Sequence, residues 1–364
     1  MTAIPISQIS RPKGSAFKCE ITGAPATLKC SECPAYFATQ EHFDVWWRGI
    51  GHLIAQDLVV LRRPPKMIGS EEERRRREEE LMAIRKELLD LCSDTAHRFL
   101  VQARYELAVP GALQALKFAI EIYGKEAVEL VAAYLLLAEA NLGLRRLRIA
   151  EEFLSMANWN ILKHPEDGSS MMSNLQRNFG RLYAAQQRYN EALQAFATDI
   201  YYSSRDYGPE NIRSAPSYFH MGRVFQSHQK LDRAAAFYTK VIDIYASFLE
   251  SWMDHMEGGS GDTPQELNTV ESEEAIEIIK HIVDYRDKRA GEDLLSQDSV
   301  RVEVAEAKYT LALFQTYTGD TASAREYFSQ ALDVFLSTIG IDHSRTKKCQ
   351  KFLEHLEEKQ EQGE

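Results

Sequence analysis

The sequence predicts an all-α fold built from repeated helical hairpins. Residues 178–196 carry two short apolar stripes at helical spacing, and the polar turn 186–188 separates them, as in two antiparallel helices. The small residues of this hairpin recur with a fixed step of 42 residues. They are Ala138, Gly180 and Gly222 in one series, and Ala150, Ala192 and Ala234 in a second series. A step this regular indicates that one structural unit is repeated along the chain.

This pattern resembles the tetratricopeptide repeat, in which small residues let helix axes approach and bulky residues fill the space around them. Ala96 and Ala108 extend the pattern backwards by one step. A last copy, at Ala312 and Ala324, lies 90 residues after the fourth, which equals two periods and an insertion of six. We therefore expect a degenerate repeat between them, with Ala275 in its second helix. The resemblance implies a solenoid whose 42-residue units exceed the usual length of about 34, as in kinesin light chains.

The amino-terminal segment resembles a degenerate MYND zinc finger, a family pattern that implies two interleaved sites of four ligands each. In the first site Cys19 and His42 are present, but Thr22 and Ala38 stand at the other two ligand positions. A structural zinc ion is almost always held by four ligands. We therefore expect no zinc at this site.

The second finger site keeps Cys30, Cys33 and His52, and its fourth ligand is missing. An incomplete set makes zinc an unexpected cofactor here as well, although Asp57 or a water could complete it. We expect aromatic packing to hold the module instead, through the side chains of Phe37, Phe43, Trp46 and Trp47. A module this small has too little core to fold alone, so we expect it to dock on the first repeat.

The remaining boundaries follow from composition. Ser70 and Glu73 form a capping box, which predicts a helix through Cys92 whose charges pair at i,i+4 spacing. The glycine-rich segment 257–270 predicts a flexible loop inside the degenerate repeat. The predicted segments are a tail (1–14), the MYND-like module (15–57), a linker (58–69), the charged helix packing on the solenoid (70–92), repeats one to four (93–256), the loop (257–270), the degenerate and final repeats (271–355) and a second tail (356–364).

Composition narrows the functional class. The formal net charge of −11 disfavours binding to nucleic acid, because phosphate contacts require a cationic face. No apolar run approaches the length of a membrane span, and the first residues do not form a signal peptide. Five scattered cysteines are typical of a reducing compartment. The sequence therefore predicts a soluble intracellular protein.

The sequence contains no constellation typical of catalysis. The histidines are dispersed, and no phosphate-binding glycine loop, nucleophile elbow or metalloprotease motif is present. Methyltransferases of the SMYD type combine a MYND finger with helical repeats, but their β-rich SET domain has no counterpart in this chain. We therefore expect a protein that binds other proteins and is not an enzyme.

The first helix of each tetratricopeptide repeat commonly lines a groove that grips a partner. The predicted groove residues are Arg177, Arg181, Phe219, Arg223, Gln226 and Tyr309, and Leu135 and Glu139 stand at the matching positions of the second repeat. The arginines suit an acidic segment with an apolar anchor, or they pair with acids of neighbouring repeats. In the first case, charge reversal at Arg181 and Arg223 weakens partner binding without changing thermal stability.

Six segments together resemble the axonemal family of proteins that join a MYND finger to 42-residue tetratricopeptide repeats. They are residues 70–74, 108–118, 123–144, 150–163, 177–192 and 231–241. The resemblance implies a scaffold in the axoneme of cilia and flagella, with a tetratricopeptide repeat protein 29-like partner, inner-arm dynein and other axonemal proteins as partners. Two alternatives remain: a soluble cargo adaptor like the kinesin light chains, and a zinc-dependent MYND module that recruits peptides.

Overall fold

The computed structural model describes residues 2–7, 17–62, 70–164, 168–208, 210–256, 266–292 and 297–361. The chain divides into two compact units, Met1–Ala195 and Phe196–Glu364. Parts of the predicted tails, linker and loop lie outside the described residues. None of the described helices is long and apolar enough to cross a membrane.

The first unit begins with a small α/β module. Its three-stranded antiparallel sheet has the order β1 (Ala3–Pro5), β2 (Leu28–Cys30), β3 (Tyr36–Phe37). Helix α1 (Gln40–Trp46), a π-helical turn and α2 (His52–Leu61) follow the sheet.

The module extends past both of its predicted boundaries. Strand β1 falls in the segment predicted to be a tail, where its backbone pairs with β2. At the other end, α2 continues beyond residue 57 because the side chain of Leu58 is buried in the module core.

Aromatic packing holds the module and joins it to the first repeat, as the sequence predicted. The side chains of Phe37, Phe43 and Trp46 are buried. The centroid of the Phe37 ring lies 5.4 Å from that of Phe43 and 5.1 Å from that of Trp46. The same apolar cluster includes Cys92 and Phe118 from the helices that follow. These contacts dock the finger-like module on the first hairpin.

Close backbone contact makes the docking specific. A Cβ atom placed on Gly49 would lie 2.8 Å from the Leu107 carbonyl oxygen, so only glycine permits this approach. The carboxylate of Glu20 is also buried at the junction, where it accepts hydrogen bonds from Arg62 (2.9 Å), Lys117 (2.5 Å) and Gln114 (3.1 Å). A buried carboxylate needs such partners to offset the loss of water.

The rest of the first unit consists of helical hairpins. The helices are α3 (Glu71–Val101), α4 (Tyr105–Tyr123), α5 (Leu130–Gly143), α6 (Leu147–Lys163), α7 (Gly168–Ala185) and α8 (Tyr189–Tyr207), the last of which continues into the second unit.

The predicted capping box forms at Ser70. The Ser70 hydroxyl oxygen accepts a hydrogen bond from the Glu73 N–H, and the Glu73 carboxylate accepts one from the Ser70 N–H. Helix α3 is longer than predicted and does not end at Cys92. It continues because Ala96 and Leu100 extend its buried stripe against α4.

The hairpin turns repeat the 42-residue period in the backbone. A residue with φ between 56° and 85° follows the first helix of five hairpins: Ala103, Arg145, Gln187, Gln229 and Gly319. In each turn the next residue donates its N–H to a carbonyl five residues earlier, as from Arg188 to Tyr183 at 2.8 Å. This bond satisfies a carbonyl that the helix end would leave without a partner. The same turn therefore connects the two helices of repeats one to four and of the final repeat.

The second unit continues the hairpins. Its helices are α9 (Ala215–Ser227), α10 (Leu231–Met256), α11 (Thr269–Glu292), α12 (Gln297–Thr318), α13 (Thr321–Thr338) and α14 (Ser344–Glu361). Gly222 shows why the lattice needs small residues, because a Cβ there would lie 2.6 Å from the Tyr238 ring.

The degenerate repeat differs from the prediction of two helices. Within the described residues it supplies one helix, α11, in which Ala275 and Ile279 are buried. The chain end also differs, because α14 covers most of the tail predicted at 356–364 and buries Leu356.

Candidate protein-interaction surfaces

The predicted groove of the first unit is closed by an internal ion pair. Arg181 donates a hydrogen bond to the carboxylate of Glu139, which stands 42 residues earlier at the matching position of the preceding repeat. Their side chains are 24% and 21% exposed. Burial raises the pKa of Glu139, but the charges of Arg181, His97 and Arg177 outweigh it and hold the pKa below its usual range. Arg181 therefore pairs with a neighbouring repeat, which was one of the two predicted alternatives.

The predicted groove residues of the second unit are mostly part of its core. Phe219 is 6% exposed and Tyr309 is fully buried, so neither offers a surface to a partner. The Tyr309 hydroxyl donates to Glu250 at 3.0 Å, and the Gln226 side chain accepts from Tyr238 at 2.8 Å. Arg223 is the exposed member of the set, with its guanidinium 5.9 Å from the centroid of the Phe219 ring.

Helix α11 explains why Phe219 is not available. The ring of His281 on α11 lies edge-on to Phe219, with centroids 5.3 Å apart, and Tyr285 packs on Tyr238 at 4.9 Å. Arg286, also on α11, is buried and donates to the Glu303 carbonyl of α12. The helix of the degenerate repeat thus covers Phe219, the apolar residue at which the sequence predicted a partner's anchor.

An apolar face on α6 is exposed, and the sequence reasoning missed it. Its four members are Ile149, Met156, Trp159 and Leu162, which are 41%, 47%, 61% and 62% exposed. The opposite face of α6 carries the buried stripe of Ala150, Leu154, Ala157 and Ile161. A helix that is apolar on two sides was the available signal, because one side suffices for packing within the repeat.

Charged residues of both signs surround this α6 face. Lys163 lies 5.2 Å from the centroid of the Trp159 ring and pairs with Glu126 at 3.0 Å. At the other end of the helix, Arg148 pairs with Glu152 at 3.4 Å. Beside them lies an open groove of about 680 Å³, whose lining includes Tyr134, Met156, Trp159, Glu126, Arg148 and Glu152.

The finger ligands converge only in part. Cys19 Sγ lies 3.6 Å from His42 Nδ1, so the two remaining residues of the first site are adjacent. Burial raises the pKa of the Cys19 thiol, but hydrogen bonding by Thr22, Ile21 and Ala38 lowers the pKa by more, so the net shift is downward.

The second site keeps three of its four predicted ligands, but its histidine has another contact. Burial and the neighbouring Cys30 raise the pKa of Cys33 to about 12. The Nδ1 atom of His52 lies 2.9 Å from the carbonyl oxygen of Trp47. Across the described part of the chain, no group of three or more histidine, cysteine and acidic side chains is arranged to hold a metal ion. The residues present do not fit the four-ligand zinc sites that the finger resemblance implies.

The repeated helical hairpins define an all-α repeat protein. Sequence patterns of the tetratricopeptide repeat family match residues 171–247 and 305–335, which cover the third, fourth and last predicted repeats. The chain therefore has a tetratricopeptide-repeat fold, and neither match indicates a catalytic family.

One solved structure with detectable similarity is the crystal structure of BtubC (BKLC) from P. vanneervenii. The match has 16% sequence identity and a TM-score of 0.41, and it covers 74% of this chain and 88% of that one.

Proposed function

We propose that the chain is a non-enzymatic scaffold that binds a partner protein through the exposed face of α6. The observation that carries this proposal is the cluster of Met156, Trp159 and Leu162 on one solvent-facing helix. Tryptophan is enriched among the residues that dominate binding energy at protein interfaces. Contiguous exposed apolar surface with a polar rim is typical of such sites.

The dimensions and charges of the face favour an amphipathic helix as the occupant. Met156 and Leu162 are six residues apart, which corresponds to roughly 9 Å along the helix, or about two turns of a partner helix. The rim carries Arg148, Glu152, Glu126 and Lys163, so it complements a helix with charges of both signs beside its apolar stripe. Nucleic acid would require a cationic surface, which this rim does not provide.

For the cellular setting, we propose the axoneme of motile cilia and flagella. The support is the resemblance of six segments to the MYND-finger tetratricopeptide-repeat proteins, and in particular to zinc finger MYND domain-containing protein 12. The proposed partners are a tetratricopeptide repeat protein 29-like protein and, through the assembly, inner-arm dynein and other axonemal proteins. In this setting the chain helps to position inner dynein arms as a static adaptor.

Crosslinking mass spectrometry on isolated axonemes tests the setting and the surface together. Lys125 and Lys163 flank the α6 face and react with amine-directed reagents. We expect crosslinks from these two lysines to a helical segment of a tetratricopeptide-repeat partner. Partner crosslinks confined to Lys240, Lys280 and Lys347 of the second unit would refute the assignment of the surface. Loss of the chain from salt-washed axonemes would favour the soluble cargo adaptor.

Binding measurements isolate the contribution of the face. Trp159→Ala should weaken binding of the purified partner by roughly 30-fold, since a buried tryptophan anchor contributes about 2 kcal/mol or more. Ile341→Ala is the matched control, because Ile341 is also 61% exposed but lies in the second unit. Equal affinities of the two variants would contradict the α6 assignment.

A further inference from the structure

The corner of the module around Cys19 brings together two of the ligand residues that the finger resemblance implies. Cys19 Sγ lies 3.6 Å from His42 Nδ1, and His42 is positioned by helix α1, whose first turn is capped by Thr39. The Glu20 N–H donates to the Tyr36 carbonyl at 2.9 Å, which brings the end of β3, just before Ala38, beside Cys19, and Thr22 lies in the same tight turn as Cys19. The two positions without a ligand atom therefore lie near Cys19, which contacts His42.

The backbone around Cys19 is folded as a tight knuckle. The Gly23 N–H donates to the Cys19 carbonyl at 2.9 Å, and the Cys19 N–H donates to Ala24 at 2.7 Å. Gly23 has a φ of 69°, which closes the turn at little cost for a residue without a side chain. This turn holds Thr22 close to Cys19 in the backbone.

Other contacts supply the stability that a structural metal would give. Trp46 and Phe37 are fully buried, and the Glu20 carboxylate beside Cys19 is tied to Lys117 of the first repeat. A small domain without metal or disulfides needs support of this kind from a neighbouring core.

We propose that this corner is a metal-free form of a zinc site, in which the backbone keeps the arrangement of four ligand positions although only Cys19 and His42 can bind. The wild-type chain folds independently of zinc. Thr22→Cys combined with Ala38→Cys completes a Cys₃His set and converts the corner into a zinc site. The Cys30–Cys33 pair cannot be converted in this way, because His52 is held at the Trp47 carbonyl.

The experiment uses the full chain in three forms: wild type, T22C/A38C, and T22S/A38S as the matched control without new thiolates. Zinc content after dialysis, the absorption of the cobalt(II) derivative and the thermal midpoint with and without a chelator are measured for each. We expect one zinc per chain, a tetrahedral cobalt–thiolate spectrum and a chelator-sensitive midpoint for T22C/A38C alone. The wild type and the control should show no bound zinc and no effect of chelator.

Two results would overturn the proposal. One is a wild-type chain that retains one zinc and loses it on Cys19→Ser, because the native corner would then hold the metal. The other is a T22C/A38C chain with native circular dichroism that binds neither zinc nor cobalt, because the positions would then not converge. If T22C/A38C does not fold, T22C alone decides the question, with a weaker cobalt–thiolate signal expected from three ligands and its absence counting against the proposal.

Discussion

Removal of the Arg181 guanidinium should destabilise the first unit, because it leaves the Glu139 carboxylate without its nearest cation. Both side chains are about three-quarters buried, so the carboxylate cannot recover full hydration. Breaking a buried pair by deleting one partner costs about 3 to 5 kcal/mol. His97 and Arg177 remain as positive neighbours of Glu139, so we expect about 3 kcal/mol for Arg181→Ala.

The effect should depend on pH. Arg181, with His97 and Arg177, holds the pKa of Glu139 below its usual range in the folded chain. A depressed folded pKa contributes stability above the unfolded pKa of roughly 4.3, and this contribution is lost as pH falls through the folded value. The difference between wild type and Arg181→Ala should therefore be full at pH 7 and should shrink below about pH 4.

Urea denaturation followed by circular dichroism at pH 7 and at lower pH measures both effects. Arg188→Ala is the control, because the Arg188–Glu191 pair is exposed on both sides and its loss should produce no measurable change. The swap of charges in Glu139→Arg with Arg181→Glu should recover part of the lost stability. If Arg181→Ala unfolds at the same urea concentration as Arg188→Ala, the pair is not a buried one and this reasoning fails.

Two further substitutions test the turns and the docking of the module. Gln187 has a φ of 63°, a conformation that costs a residue with a side chain about 1 to 2 kcal/mol. Gln187→Gly should therefore raise the thermal midpoint, whereas Gln187→Val should lower it. A higher midpoint for the valine variant would contradict the assigned turn. Burial raises the pKa of Glu20, but the charges of Lys117 and Arg62 lower it by more, so the net shift of the pKa is downward. The carboxylate therefore stabilises the fold above its unfolded pKa, and this contribution is lost in acid. Glu20→Gln should therefore destabilise the junction at pH 7 by roughly 1.5 to 3 kcal/mol and increase hydrogen exchange in α1 and α2; unchanged exchange there would show that the carboxylate does not hold the module.

The sequence predicted the repeats well because their geometry depends on residue size. Small residues are needed wherever two helix axes approach closely. Because the same unit recurs, alanine and glycine recur with a step of 42 residues that is visible in the sequence. The conformation of the turns was harder to predict than their place, since Ala103, Arg145, Gln187 and Gln229 adopt a positive φ for which glycine is the usual signal. The length of α3 and the single helix of the degenerate repeat also required the structure, because they depend on which apolar stripe finds a neighbouring helix.

Two of the predicted groove residues, Phe219 and Tyr309, were wrong for a different physical reason. Position within a repeat determines where a side chain points, but it does not determine what lies opposite. Tyr309 and Phe219 occupy groove positions in the sequence pattern, yet they are buried within their own unit. The prediction that charge reversal at Arg181 leaves stability unchanged is inconsistent with its bond to Glu139.

Substitutions at the Arg181–Glu139 groove and on the α6 face of the first unit should have opposite effects on stability and on partner binding. The two kinds of effect can therefore be measured separately. At the groove, a ligand for Arg181 must first replace the carboxylate of Glu139, and the unpaired carboxylate would offset much of the gain. On α6, Trp159 is already exposed, and covering it removes apolar area from water without breaking an internal bond. Arg181→Ala should therefore lower the free energy of unfolding and leave partner affinity intact wherever the chain remains folded. Trp159→Ala should do the reverse, and a variant that changed both in parallel would show that the α6 face and the ion pair belong to one site.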